Sequence, residues 1–184
     1  MASYEPIDGP EVTWFQPKAL ERRFELRRGE ARLAELAFRS SFGTMALGES
    51  ARGRWTLKRV GFFKPRVTVR AEGAEKDLAV FRLDLWDHGV VAFENGPNYA
   101  WQATNFWGSS HAFLVAPGRP ALTFRPGPEE GLKDMFKTQA TVSLEPDAPG
   151  EDGRSILLLL GMYLLVMRQE ESATTVAATT AAIG

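Results

Sequence analysis

Between Arg154 and Arg168 lies Ile156-Leu-Leu-Leu-Leu-Gly-Met-Tyr-Leu-Leu-Val-Met167, twelve residues without a charge. Leucine and methionine favour helix, and a strand of this length would be about twice the usual one. As a helix the run measures about 18 Å at 1.5 Å per residue. A bilayer core of about 30 Å needs roughly twenty residues. Arg154 on one side and Arg168-Gln-Glu-Glu171 on the other mean that the run lengthens only by burying charge. It is therefore too short to span a membrane. A helix that is apolar on every face must be buried on every face. The expected helix covers about 155–168, with Asp152 or Ser155 available as its N-terminal cap. The rest of the chain must be able to surround it, and in a β protein the place that surrounds a helix is the inside of a barrel.

The remainder does read as β. Ala79, Phe81, Leu83 and Leu85 alternate with Val80, Arg82, Asp84 and Trp86, and Thr138, Ala140, Val142 and Leu144 alternate with polar residues. This period of two marks half-buried strands. Further short candidates are 22–27, 32–39, 44–47, 54–60, 66–70, 90–94, 99–104, 112–115 and 121–125, with a strong turn at Asn95-Gly96-Pro97. Stretch 32–39 (Arg-Leu-Ala-Glu-Leu-Ala) would suit a helix equally well. Many short strands at close spacing indicate an all-β sandwich or barrel. A length of 184 residues suits one domain, and 44% hydrophobic residues exclude a mostly disordered chain. The expected organisation is an extension over 1–13, one domain over 14–171, and a tail over 172–184 that is either disordered or a last strand.

Three stretches together resemble the tubby C-terminal-like superfamily, which includes the phospholipid scramblases and the LURP-one-related proteins. They are Arg54-Trp-Thr-Leu-Lys-Arg-Val-Gly61 leading into Pro65–Arg70, the hairpin-like Gly89–Trp101, and the apolar Leu157–Val166 run. The likeness covers about residues 14–170. It implies an all-β fold with one central helix: a closed β-barrel of about twelve strands enclosing the hydrophobic C-terminal helix. The tubby branch binds phosphoinositides and the scramblase branch is linked to lipid movement. This sequence departs from the scramblases in lacking their long membrane-anchoring run. It also lacks an Asp-rich calcium loop, since Asp84 and Asp87 enclose only Leu-Trp and Glu145-Pro-Asp147 is broken by proline. Calcium-dependent scrambling is not expected.

The formal net charge of −1 conceals a basic half, +6 over residues 1–70, and an acidic half, −7 over residues 71–184. The densest basic stretch holds Arg52, Arg54, Lys58, Arg59, Lys64, Arg66 and Arg70 with no acidic residue between Glu49 and Glu72. On a hairpin turning near Gly61–Lys64, alternation would put Arg54, Lys58, Arg66 and Arg70 on one outward face. Such a face can bind lipid phosphates, each cation near an anionic bilayer contributing about 1 kcal/mol. The candidate headgroup-binding residues are Arg54, Lys58, Arg59, Lys64, Arg66 and Arg70. Phe62 and Phe63, at the loop tip, are the candidates for dipping into the interface. The plainer alternative is a solvated barrel face whose charges meet the acidic half of the same molecule. Nucleic acid is not expected as a partner, because the domain is not basic overall and carries no recognition motif.

Nothing points to catalysis or to a cofactor. Zero cysteine excludes thiol chemistry and thiolate metal sites. His88 and His111 lack metal-ligand spacing and read as structural. Ser109 and Ser110 beside His111 lie outside any G-x-S-x-G context. Asp84, Asp87 and Glu94 could pair as acid and base only if one barrel mouth gathered them. Gly43, Gly48 and Gly53 fit neither phosphate-loop spacing. Trp101, Phe106 and Trp107 read as core filling, with a ligand-stacking surface as the alternative. The expectation is a non-enzymatic binding module for anionic phospholipid headgroups. Its alternative is a protein–protein scaffold. With no basic and apolar leader at its start, the chain is expected in the cytoplasm, at the membrane periphery.

Overall fold

The computed structural model describes residues 4–19, 21–84, 88–106, 108–127 and 139–183. Leu85, Trp86, Asp87, Trp107 and Thr138, which entered the reading above, lie outside the described residues. The strands are β1 (Glu11–Phe15), β2 (Arg23–Arg28), β3 (Ala31–Phe38), β4 (Met45–Ser50), β5 (Gly53–Val60), β6 (Arg66–Ala71), β7 (Ala79–Leu83), β8 (Gly89–Phe93), β9 (Asn98–Ala103), β10 (His111–Ala116), β11 (Arg119–Pro126) and β12 (Gln139–Leu144). One helix follows, α1 (Glu151–Ile183). Each strand pairs antiparallel with its neighbours in sequence, and β1 pairs with β12 to close a twelve-stranded barrel. Closure removes the exposed edges that an open sheet would leave. The Ala-Leu-rich stretch that would have suited a helix is β3, with Leu33, Ala34 and Leu36 buried. Tertiary burial here overrides local propensity.

Strand β1 carries too weak a pattern to be read from the sequence. Only Val12 and Trp14 mark its inward face, and what fixes it is pairing with β12, Trp14 opposite Ala140. Trp14 is wholly buried, and its indole N–H has no hydrogen-bond partner among the described residues.

Helix α1 fills the barrel. Leu157, Leu158, Leu159, Leu160, Met162 and Tyr163 are fully buried, and each such side chain contributes about 2 kcal/mol through removal from water. The barrel wall and the helix fit at two glycines. A Cβ at Gly48 would lie 2.7 Å from the Leu159 side chain, and one at Gly161 would lie 2.2 Å from the Phe124 ring. The cleft between the helix and strands β6, β7 and β9 measures about 60 Å³, room for a few waters rather than a ligand. No described helix is long and apolar enough to cross a membrane.

Three expectations need correction. The helix begins at Glu151, so neither Asp152 nor Ser155 caps it. Asp152 instead accepts from Arg52 at 2.6 Å, and the buried Ser155 bonds to Ser50 at 3.2 Å. Arg52 holds the Asp152 carboxyl below its usual range, chiefly through this hydrogen bond. The tail is not a strand: the helical backbone continues through Ile183. Alanine-rich sequence adds easily to a helix that packing has already nucleated. Phe106 does not fill the core either, being 94% exposed on the β9–β10 connection.

Connections in such a barrel alternate between its two ends. The helix enters at the end of the β4–β5 connection, where Arg52 meets Asp152. It leaves at the end of the β3–β4, β5–β6, β7–β8 and β9–β10 connections. Tyr163 donates there to the Thr44 carbonyl at 2.6 Å, and Arg168 donates to the Gly108 carbonyl.

Candidate functional site

Strand parity sorts the basic residues. On β5, Trp55 and Leu57 are buried and Arg54 and Lys58 are exposed; on β6, Val67 and Val69 are buried and Arg66 is exposed. Register places Thr68 opposite Lys58 and Arg70 opposite Thr56. Arg54, Lys58, Arg66 and Arg70 thus share the outward face, as alternation requires. Arg59 has the opposite parity and sits at the inner rim. Its backbone N–H donates to the Tyr163 hydroxyl at 3.1 Å, and its guanidinium pairs with Glu171 of the helix. Burial pushes the Tyr163 hydroxyl up to about 12, so it stays a donor toward Thr44.

Pairing divides the six candidates further. Arg54 pairs with Glu72 at 2.8 Å and approaches Glu49 at 3.7 Å, while Arg70 pairs with Asp77 at 2.5 Å. With Arg59 on Glu171, these three cations meet carboxylates of the acidic half, as the plainer alternative supposes. Lys58, Lys64 and Arg66 are exposed and form no ion pair with any described residue. A fourth cation joins them. Arg82 on β7 lies directly opposite Arg66, exposed and likewise without an ion pair among the described residues. Sequence reading placed Arg82 on the polar side of its strand; only the β6–β7 register shows that this side continues the basic face.

The turn between β5 and β6 carries the apolar element. Gly61 there has φ +90°, and a Cβ on it would lie 2.8 Å from the Lys64 carbonyl oxygen, so glycine permits this tight return. Beyond it Phe62 and Phe63 are 91% and 93% exposed, their rings meeting edge to face at 5.2 Å. Two adjacent aromatic rings held in water, beside Lys64, form an amphipathic tip.

The other candidates are brought together differently. His111 is buried at the start of β10, stacked on Trp101 at 5.0 Å, with Nε2 3.0 Å from the Arg168 guanidinium. An arginine only donates, so Nε2 accepts and the ring serves to fasten the helix. Trp101 is core, 4.6 Å from Phe113 and 5.6 Å from Phe124. Asp84 lies at the helix-exit end and Glu94 at the entry end, where it pairs with Lys76 at 2.5 Å. The two carboxylates therefore do not share a barrel mouth. Among the described residues no cluster of three or more His, Asp or Glu is placed to hold a metal ion.

No protein-family model, no curated protein and no solved structure gives a match to this chain.

Proposed function

We propose that this chain is a non-enzymatic module, related to the tubby C-terminal-like superfamily, that binds anionic phospholipid headgroups, phosphoinositides included, at the periphery of a membrane. The observation that carries this reading is the group Lys58, Lys64, Arg66 and Arg82, all exposed and free of ion pairs with described residues, beside the exposed Phe62 and Phe63. Like charges directly opposite on adjacent strands, as Arg66 and Arg82 are, destabilise a sheet unless an anion lies between them. A phospholipid surface offers the two components this site lacks, phosphate for the cations and an apolar layer for the rings. The twelve-stranded barrel around its C-terminal helix is the architecture that the superfamily resemblance implies, and it supports the proposed kinship.

Co-sedimentation tests the reading. The protein is expected to pellet with phosphatidylcholine vesicles containing phosphatidylserine or a phosphoinositide, not with phosphatidylcholine alone, and to dissociate as salt rises. Absence of binding at low salt overturns the reading and leaves the protein-only scaffold.

A further inference from the structure

Resting on that reading, we infer that the barrel meets the bilayer end-on, its helix-exit end toward the lipid, with Phe42 and Phe106 entering the interface alongside Phe62 and Phe63. Among the described residues these are the phenylalanines that are more than nine-tenths exposed, at 100%, 94%, 91% and 93% respectively. They lie on three connections, β3–β4, β5–β6 and β9–β10, all at the end from which α1 emerges. On a twelve-stranded ring, β3–β4 and β9–β10 are six strands apart and so on opposite sides of the rim. A plane laid along the basic wall of β5–β7 cannot immerse both. A plane across the barrel axis touches all three loops.

Charge points the same way. Lys58, Arg66 and Arg82 lie toward the exit end of their strands and Lys64 on the β5–β6 connection, and Arg39, exposed on the β3–β4 connection, forms no ion pair with any described residue. Arg54 and Arg70, which are paired, lie toward the entry end. Glu170 and Glu171 stand at the exit rim but are held by Arg22 and Arg59, Glu21 on the β1–β2 connection pairs with Lys18, and Asp84 lies on the β7–β8 connection. The entry end is acidic. Its connections, with the first two helix residues, carry Glu30, Glu72, Glu75, Asp77, Glu94, Glu145, Asp147, Glu151 and Asp152 against Arg52, Lys76 and the adjoining Arg54, Arg70 and Arg119, which pair with Glu72, Asp77 and Asp147. An anionic bilayer attracts one end and repels the other, which orients the molecule before contact. The helical backbone past the exit rim, from Ser172 to Ile183, carries no charged residue.

The absence of native cysteine allows single labelling sites. An environment-sensitive fluorophore is placed at Phe42→Cys, Phe63→Cys, Phe106→Cys and, at the entry end, Glu75→Cys. Each labelled protein is mixed with phosphatidylserine-containing vesicles with and without a quencher buried in the acyl region. End-on docking shifts emission to the blue and gives quenching at 42, 63 and 106, and neither at 75. Response at 63 without response at 42 and 106 overturns the inference and leaves headgroup binding through the basic wall intact. Unlabelled protein that fails to co-sediment overturns both. Phe42→Ser with Phe106→Ser is expected to lower vesicle affinity about tenfold or more, and unchanged affinity in that variant also overturns the end-on geometry.

Discussion

Two stretches of this barrel are rich in arginine, and only one of them is a candidate site. Across β1–β3, Arg22 pairs with Glu170 at 2.7 Å, Arg23 with Glu35 at 2.7 Å, Arg27 and Arg32 with Glu25 at 2.6 Å each, and Arg28 with Asp8. Glu25 is itself buried, clasped by two guanidiniums. Those cations are occupied holding the barrel wall and the helix end together. Across β5–β7, Lys58, Lys64, Arg66 and Arg82 have no such carboxylates among the described residues and stand exposed to solvent. Basic density alone does not distinguish the two stretches; the carboxylates that the fold brings to each cation do.

The largest expected effect separates binding from folding. Lys58→Glu with Lys64→Glu and Arg66→Glu removes three cations and adds three anions. At about 1 kcal/mol per cation near an anionic surface, neutralisation alone lowers affinity by about a hundredfold, and reversal goes further. Vesicle binding should vanish in co-sedimentation while the thermal midpoint stays near that of the parent, because the three side chains touch no ion-pair partner. An equal loss of stability would mean that the face is structural.

The opposite variant belongs on the paired stretch. Glu25→Ala leaves Arg27 and Arg32 facing each other without their shared carboxylate. Removing one member of a buried ion pair costs about 3 kcal/mol, and the pairs' partial exposure places the expected value at or below that. Denaturant titration should show the loss, with vesicle affinity of the folded protein unchanged. Altered lipid binding in this variant would erase the distinction between the two stretches.

How much of this was legible follows from the distance over which each feature is decided. The buried helix was readable because twelve consecutive residues carry the signal and length alone rejects a membrane span. Most strands were readable because alternation is local. β1 was not, because two inward residues are too few and its partner β12 lies at the other end of the chain. Alternation also grouped Arg54, Lys58, Arg66 and Arg70, while the place of Arg59 at the inner rim emerges only from the structure. Which cations are free was not legible, since Arg59 finds Glu171 and Arg22 finds Glu170 only after the helix threads the barrel. The helical tail was missed for a related reason: its threonines favour strand in isolation, but the helix preceding it supplies the nucleus.

Arg82 sharpens the comparison on a smaller scale, because register rather than sequence proximity brings it to the face. Arg82→Ala should lower affinity for phosphatidylserine-containing vesicles about fivefold, the effect of about 1 kcal/mol. It should also raise stability slightly by relieving the cross-strand repulsion with Arg66. Unaltered affinity would confine the site to the β5–β6 hairpin.

The smallest effect is the most discriminating between charge count and charge availability. Arg54→Ala and Arg70→Ala each delete a cation from the same outward face as Lys58→Ala and Arg66→Ala, so a site that responds to total charge would weaken equally in all four. Arg54 and Arg70 are already neutralised by Glu72 and Asp77, and deleting either leaves a carboxylate exposed near the entry end, farther from the lipid. Their loss should change vesicle affinity by less than about twofold, an exposed ion pair being worth about 1 kcal/mol or less to stability. Lys58→Ala and Arg66→Ala should each cost about fivefold in the same titration. Four equal losses would show that the bilayer reads the whole face as a diffuse field, with ion pairing irrelevant to which residues bind.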